Sequence, residues 1–262
     1  MTPSDQPTPP IFLFTDFGGN GPYVGQMTAA IHRIAPTLAV VDLCHDVAPF
    51  QARPAAHLLA ALLPHLPAGA CVVAVVDPGV GTSRRGVVLE ADGIRLVGPD
   101  NGLLAIAAQR AKHAHWRYLP TPAQPVSTTF HGRDWFGPVA ARLQTGQCVA
   151  SGVPADEDQP EGMAWAVDWN HVIYIDGYGN AMTGLRAEGF GVNDVCVIRD
   201  DTQIRHARTF GEVPRGAAFW YANSCGLVEL AVNQGHAARE LDLRVGQAFA
   251  IRRPSGAVQD AT

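Results

Sequence analysis

The chain has 262 residues, of which 47% are hydrophobic and 16% charged, enough for a sizeable core in one large domain or two smaller ones. The formal net charge is −5 without a lysine or arginine cluster, which argues against a nucleic-acid partner because phosphate neutralisation needs a basic face. The five cysteines are widely spaced and form no CxxC pair, so they predict neither a disulfide framework nor a structural zinc site. Because no apolar run reaches the length of a membrane span or a signal peptide, we expect a cytoplasmic protein without a membrane partner.

Residues 1–10 are polar and rich in proline, and we expect them to form a flexible tail. Residues 11–150 alternate apolar runs with helical patterns, which predicts an α/β domain with a mostly parallel sheet. The largely apolar run at 38–43 is typical of a strand buried on both faces. The strands are predicted at 11–14, 38–43, 71–76, 86–90 and 94–97, and the helices at 23–35, 57–63, 103–112 and 136–143.

The composition changes at residues 151–165, which carry four acidic side chains, two prolines and no basic residue and are predicted to be an exposed linker. Residues 166–262 then form short strand-like runs separated by glycines, which predicts a smaller C-terminal β-barrel domain. These runs lie at 172–175, 195–198, 217–221, 227–232 and 248–251.

Two acidic residues follow predicted strands, at the sheet edge where open parallel sheets bind ligands. Asp16 opens a glycine-rich turn, where a carboxylate can accept two hydroxyl hydrogen bonds, as from a ribose, or can serve only as a helix N-terminal acid. Asp77 opens the loop Asp77–Arg85, whose glycines bend the chain so that Arg84 or Arg85 could return beside Asp77. That loop is either functional or a βα turn with a structural ion pair, and it is not a phosphate-binding P-loop.

A third segment, Ser127–Asp134, precedes a predicted helix. Polar residues there often only cap the helix, but His131, Arg133 and Asp134 combine proton-transfer with anion-binding chemistry. A further acidic and histidine-containing stretch matches no strong zinc motif, so surface or capping roles are favoured there and no metal or cofactor is expected. Its residues are Asp42, His45 and Asp46, together with His57 and His65.

Six groups of segments, in order from residue 15 to residue 235, together resemble the S-adenosylmethionine hydroxide adenosyltransferases, also called S-adenosylmethionine hydrolases, which are related to the fluorinases and chlorinases. The segments are 15–18 with 23–27, 76–82 with 84–85, 98–102, 129–134, 175–180, and 223–227 with 231–235. The resemblance implies an α/β domain followed by a β-barrel domain. It also implies a homotrimer with active sites between one subunit's N-terminal domain and its neighbour's C-terminal domain. The implied reaction cleaves S-adenosylmethionine with water to adenosine and L-methionine.

The resemblance also implies roles for individual residues. Asp77, Arg84 and His131 look like the family's water-activating set. The implied substrate-binding residues are Asp16 for the ribose diol, Phe130, Asp176 for the methionine ammonium, Tyr178 for stacking on adenine, Asn180 for the adenine edge, Ser224 for the methionine carboxylate, Glu229, and Gln234 beside adenine.

Several departures from the halogenating relatives favour water over halide as the nucleophile. Asp77 stands where those enzymes carry tyrosine, Cys225 where they carry arginine, and the stretch 90–98 lacks the loop inserted in fluorinases. Gly21 replaces an acid that many relatives carry near the substrate.

We hypothesise that Asp77 and Arg84 orient the water and that His131 receives its proton. A halogenase, a non-catalytic adenosine or S-adenosylmethionine binding protein, and a metal-dependent hydrolase are the competing hypotheses.

Overall fold

The computed structural model describes residues 8–122, 126–147, 159–253 and 258–259. The chain divides into two compact units, residues 1–165 and 166–262. Most of the predicted tail (1–7) and most of the predicted linker (151–158) lie outside the described residues. Within the described ranges, no helix has the length and apolar character required to cross a membrane.

The first unit is built on a six-stranded sheet in the order β2-β1-β3-β5-β4-β6. Parallel pairing joins β1 to β2 and β3, and β3 to β5, whereas β4 runs antiparallel to both β5 and β6. The sheet is therefore mixed, and the prediction of a mostly parallel sheet is wrong. The strands are β1 (Ile11–Thr15), β2 (Val40–Cys44), β3 (Cys71–Val75), β4 (Gly86–Ala91), β5 (Ile94–Pro99) and β6 (Ala114–Tyr118).

The reversal comes from the two-residue turn Asp92–Gly93 between β4 and β5. Both residues have positive φ, +46° and +83°, as a tight hairpin turn matching the strand twist requires. Two residues cannot contain the crossover that parallel neighbours need, so β4 and β5 must be antiparallel. The Asp-Gly pair was the sequence signal for this hairpin, and the prediction overlooked it.

Strand β2 is the outer strand of the sheet and pairs only with β1. Val41 is 40% exposed, so the prediction of burial on both faces is wrong. An outer strand lacks a neighbouring strand on one side, and the side chains of β2 are covered less completely than those of the central strands. The helices of this unit are α1 (Tyr23–His32), α2 (Ala52–Leu62), α3 (Ala105–Arg110) and α4 (Gly137–Gln144), with a π-helical turn at Gly132–Phe136 leading into α4.

The core of the first unit lies between the sheet and the pair α1 and α4. Alternate strand residues such as Leu13 and Val73 pack there against Ile31 and Phe136. Because successive strand side chains point to opposite faces, Phe14 belongs to the other face, where it is also fully buried. The central strands β1 and β3 are therefore buried on both faces, and Asp16 and Asp77 follow their carboxyl ends.

The second unit contains an eight-stranded sheet in the order β14-β13-β9-β10-β11-β12-β8-β7 that curls into a half-barrel. Its described pairs are antiparallel except for β10 with β11. The curl brings β7 beside the segment before β13, where Val172 N donates to Gln247 O (2.9 Å). The elements are β7 (Trp169–Ile175), β8 (Ala181–Arg186), β9 (Val195–Val197), β10 (Gln203–His206), β11 (Ala218–Ala222), β12 (Leu227–Val232), α5 (Ala237–Glu240), β13 (Ala250–Arg252) and β14 (Val258–Gln259).

Candidate active site

The loop Asp77–Arg85 is folded by short-range hydrogen bonds within itself. Val80 N donates to Asp77 O (3.2 Å), and Thr82 Oγ1 donates to Gly79 O (2.7 Å). Gly81 has φ +81°, and a Cβ placed on it would lie 2.4 Å from Thr128 O. Glycine is therefore required at 81, both for its backbone conformation and for the close approach of the segment that leads to His131.

The bend brings three of the predicted residues into direct contact. Arg84 Nη2 donates to Asp77 Oδ2 at 2.6 Å and lies 2.8 Å from His131 Nδ1. The ion pair is nearly removed from solvent, with side-chain exposures of 8% for Arg84 and 4% for Asp77. Arg84 Nη1 donates to the carbonyl of Arg85 at 2.9 Å. The choice that the sequence left open is thereby decided, because Arg84 and not Arg85 returns to Asp77.

The hydrogen bond between Arg84 and His131 has only one possible direction. A guanidinium carries donors and no acceptor, so His131 Nδ1 accepts. The neutral ring then carries its proton on Nε2. Burial, together with the neighbouring Arg84 charge, holds the pKa of His131 below its ordinary value. The geometry and the charges therefore both favour a neutral His131.

Burial has the opposite effect on the acid of this group. It raises the pKa of Asp77 above the ordinary value, while the Arg84 charge and hydrogen bond oppose the shift. Loss of water favours the uncharged form of a carboxyl, and a cation in contact favours the charged form. Asp77 is thus a paired carboxylate that binds a proton more readily than an exposed aspartate.

Aromatic rings hold the guanidinium in place. Arg84 Cζ lies 5.2 Å from the ring centroid of Phe136 and 5.8 Å from that of Trp135. Trp135 also meets the ring of His131 edge-on, with centroids 5.4 Å apart. All three rings come from the end of the Ser127–Asp134 segment and its π-helical turn, a local distortion that is frequent at functional sites.

A cavity of about 400 Å³ lies in the first unit beside this group. Asp16 and Asp77 supply its carboxyl groups and His131 its imidazole, and Phe130 lines it as well. Apolar walls with a few converging polar groups are typical of small-molecule sites. The remaining lining residues are Phe17, Tyr23, Pro49, Phe50, Val75, Val80, Thr129 and Gly132.

Three aromatic residues of the cavity were missed by the sequence analysis, namely Phe17, Tyr23 and Phe50. Phe50 is 73% exposed with φ +64°, and its backbone N donates to Asp16 Oδ2 at 2.9 Å. Tyr23 is 49% exposed and packs edge-on to Phe130. A left-handed phenylalanine has no signature in the sequence. Tyr23 stood beside the glycine-rich turn and could have been found from that position.

The other polar residues of the Ser127–Asp134 segment bind each other. Arg133 forms two hydrogen bonds to Asp134, at 2.6 and 2.8 Å, and a third to Gln26 Oε1 at 2.8 Å. Asp134 Oδ2 also accepts from Ser127 N. Of the three candidates in that segment, the structure places only His131 at the cavity.

The six remaining predicted residues belong to the second unit. Asp176 closes the turn between β7 and β8, where its Oδ1 accepts from the backbone N of Tyr178 (2.9 Å) and of Asn180 (2.8 Å). Its Oδ2 lies 3.2 Å from the Asn180 amide nitrogen. The Tyr178 side chain is 81% exposed, whereas Asn180 is buried. The carboxylate of Asp176 therefore shapes the turn that presents Tyr178 to solvent.

Glu229 is 2% exposed on β12, and both of its carboxylate oxygens accept hydrogen bonds. Tyr221 Oη donates to one at 2.5 Å and Asn223 Nδ2 to the other at 2.7 Å. Asn223 Oδ1 in turn accepts from Cys225 N at 2.9 Å, which shapes the turn containing Ser224. Burial raises the pKa of Glu229. Ser224 and Gln234 are exposed, and Gln234 has φ +54°.

The histidine and the acids within and just after β2 contact neighbouring side chains. His45 Nε2 lies 3.1 Å from Asp42 Oδ1, and His45 Nδ1 lies 2.8 Å from Thr15 Oγ1. Asp46 accepts from Cys44 Sγ at 3.2 Å. Within the described ranges, no three His, Cys, Asp or Glu side chains converge as a metal-binding group.

Comparison with known proteins matches both units to one family. Residues 11–152 match the model of the SAM hydroxide adenosyltransferase N-terminal domain, and residues 170–250 match that of the C-terminal domain. The chain therefore belongs to the SAM hydroxide adenosyltransferase family, as the sequence motifs predicted.

Named relatives and a solved structure agree with this assignment. A Thermus thermophilus protein named (R)-S-adenosyl-L-methionine hydrolase is 39% identical over 90% of this chain and 97% of its own length. One of the same name from Salinispora arenicola is 39% identical, covering 93% and 98%. A fluorinase from Actinopolyspora mzabensis is more distant, at 25% identity over 95% and 99%. The crystal structure of an uncharacterized conserved protein from Thermotoga maritima superposes with a TM-score of 0.83, at 33% identity, covering 93% of this chain and all of that one.

Proposed function

We propose that the protein hydrolyses S-adenosyl-L-methionine to adenosine and L-methionine, by attack of water on C5′ with methionine as the leaving group. The observation that carries the proposal is that Asp77 and His131, joined through one nitrogen of Arg84, line the same cavity as Asp16. Family membership and the names of the relatives support it. Because those names specify the (R) form, we propose the (R) sulfonium epimer as the substrate.

The reaction needs help with its nucleophile and not with its leaving group. The sulfonium departs as a neutral thioether, so no acid is required to protonate it. Water is a poor nucleophile until a base takes its proton. We assign that base to Asp77, whose buried carboxylate has a raised pKa.

This assignment revises the hypothesis drawn from the sequence, in which His131 received the proton. Arg84 occupies the lone pair of His131 Nδ1, and the neutral ring carries hydrogen on Nε2. His131 is thus suited to donate a hydrogen bond that orients the water. As hydroxide character develops near the sulfonium, the two charges neutralise each other in a site with little competing solvent.

Proposed substrate contacts from both units complete the proposal. Asp16 would hold the ribose diol, and the aromatic rings of Phe130 and Tyr178 would pack on the nucleoside. Tyr178 and Phe50 are large exposed aromatic side chains, which suits a surface covered by substrate or by another subunit. We propose a cytoplasmic homotrimer in which the C-terminal domain of a neighbouring subunit supplies Asp176, Tyr178, Asn180, Ser224 and Gln234, while Glu229 holds the Ser224 turn through Asn223. The family's two domains would correspond to the two compact units, with the C-terminal half-barrel as the β-barrel domain.

The test is turnover of each sulfonium epimer in ¹⁸O-labelled water. We expect adenosine with one ¹⁸O in its 5′-hydroxyl, together with unlabelled methionine. Adenosine without label would exclude attack by water at C5′. No adenosine release from either epimer, with tight binding of adenosine, would support a non-catalytic binding protein.

The same assay distinguishes this reaction from halogenation and from metal-dependent hydrolysis. Fluoride or chloride added to the reaction should not yield 5′-halo-5′-deoxyadenosine, because Asp77 is an anion at the position of the nucleophile. Formation of the halogenated nucleoside would support a halogenase, the activity suggested by the more distant fluorinases. Loss of turnover after EDTA treatment would support a metal-dependent hydrolase instead.

Asp16→Asn should raise KM about 10-fold or more with a smaller change in kcat. Asparagine can still accept the hydrogen bond from Phe50 N, but it loses a charged acceptor for two hydroxyls, and hydrogen bonds to charged groups contribute about 1.5–3 kcal/mol. Steady-state kinetics and calorimetry with adenosine measure the effect. Asp92→Asn, in the β4–β5 turn, is the matched control. A variant with lowered kcat and unchanged KM would contradict a ribose-binding role.

A further inference from the structure

The segment Gly98–Gly102, a motif without a role in the reaction as proposed, contains the last two residues of β5 and the turn after them, at the same sheet edge as Asp77. Strand β5 lies beside β3. The two backbones are so close that a Cβ on Gly98 would lie 2.4 Å from Ala74 O. Gly102 has φ +89°, and a Cβ there would lie 2.3 Å from Trp165. The turn between these glycines is therefore packed tightly from two sides.

Asn101 ties this turn to the residue before Asp77. Its Nδ2 donates to Val76 O at 2.8 Å, and its Oδ1 accepts from Leu103 N at 3.2 Å. An amide side chain supplies both a donor and an acceptor, which aspartate cannot do when ionised. The peptide that leads into Asp77 is thus held by the side chain of Asn101.

Asp100 ties the same turn to the other end of the loop. Its backbone N donates to Arg85 O at 2.9 Å, and its Oδ2 accepts from Arg85 Nη2 at 3.2 Å. Its Oδ1 accepts from Glu161 N at 2.9 Å, and the side chain is 5% exposed. The carbonyl of Arg85 that Asp100 fixes also accepts from Arg84 Nη1. The backbone of Asp100 therefore holds the carbonyl that anchors the Arg84 guanidinium, and its side chain holds the Arg85 side chain beside it.

We propose that Asp100 and Asn101 are positioning residues for the reaction, whose adjacent side chains fix the two ends of the Asp77–Arg85 loop and thereby the spacing of Asp77 and Arg84. The inference rests on the proposed function, because it needs Asp77 and Arg84 to act on the reacting water. Neither residue lines the cavity, so neither touches substrate there. A displacement of about 1 Å at reacting groups can cost on the order of 10²-fold in rate, which makes such fixing consequential.

Reciprocal substitutions test the proposal. Asn101→Asp places an oxygen against Val76 O, and Asp100→Asn replaces the acceptor of Arg85 Nη2 while an oxygen remains for Glu161 N. Each variant should lower kcat about 10-fold or more, with KM and the adenosine dissociation constant within about 2-fold of the wild type. Asp92→Asn is the control, because Asp92 accepts from Lys112 N and His113 N in the same unit without touching the loop.

The outcomes are distinguishable. Unchanged kcat in both variants overturns the positioning role. A fall in kcat accompanied by an equal loss of adenosine binding also overturns it, because that pattern means general damage to the fold. If one variant does not fold, the other decides between these results. A wild-type protein that releases no adenosine from either epimer overturns the proposed function, and this inference with it.

Discussion

Asp77→Asn should lower kcat about 10²-fold or more, while KM and the dissociation constant of adenosine change little. Asparagine has nearly the same shape and can still accept from Arg84 Nη2, so the buried group keeps its packing and one of its hydrogen bonds. What it loses is the ability to take a proton from water. Single-turnover release of adenosine, measured beside the calorimetric affinity for adenosine, separates the chemical step from binding.

The pH dependence provides the control for this substitution. Asp77 must be ionised to accept a proton, and its pKa is raised by burial, so wild-type kcat should fall as pH decreases through that pKa. His131 must be neutral. Because its pKa is lowered, its protonation also decreases kcat only on the acid side of the pH profile. In Asp77→Asn, only the decrease of kcat caused by protonation of His131 should remain. Full turnover by this variant would show that another group activates the water.

Arg84→Met should reduce both turnover and stability. Methionine retains apolar contact with Phe136 but leaves Asp77 buried without its cation. Removing one partner of a buried ion pair typically costs about 3–5 kcal/mol. Protonation of Asp77 offsets part of this cost, but a protonated Asp77 can no longer act as the proposed base. We expect kcat to fall about 10²-fold or more, and the loss in free energy of unfolding to be larger at neutral than at acidic pH.

Urea unfolding of the wild type and the variant at two pH values measures this effect. At low pH the Asp77 carboxyl is protonated in the folded state, so the loss of the Arg84 cation costs less. The free energies of unfolding of the wild type and the variant should therefore be more similar at low pH than at neutral pH. The double variant Asp77→Asn/Arg84→Met should regain stability without regaining turnover, since neither charge is then left unpaired. If Arg84→Met had the same free energy of unfolding as the wild type at neutral pH, the ion pair would not be what stabilises this site.

Local pattern was sufficient to locate the central strands and their functional ends. Apolar runs bounded by glycines predicted β1 and β3, and the acids that follow them, Asp16 and Asp77, both line the cavity. Ordered motifs were enough to predict the family, because each motif is a short run that depends on near neighbours. Strand β6 was missed although Ala114–Tyr118 alternates apolar and polar residues; it is only five residues long and follows closely after a short helix.

The partners of the charged side chains depended on tertiary contacts. The glycine spacing in the Asp77–Arg85 loop allowed either arginine to return to Asp77, and the choice came from the surroundings. Phe136 and Trp135 receive the Arg84 guanidinium, whereas Asp100 and Tyr118 receive that of Arg85. Likewise, the role of His131 depends on which of its ring nitrogens accepts the hydrogen bond from Arg84. Such distinctions arise from burial and hydrogen-bond direction between residues far apart in the chain, which spacing along the sequence does not encode.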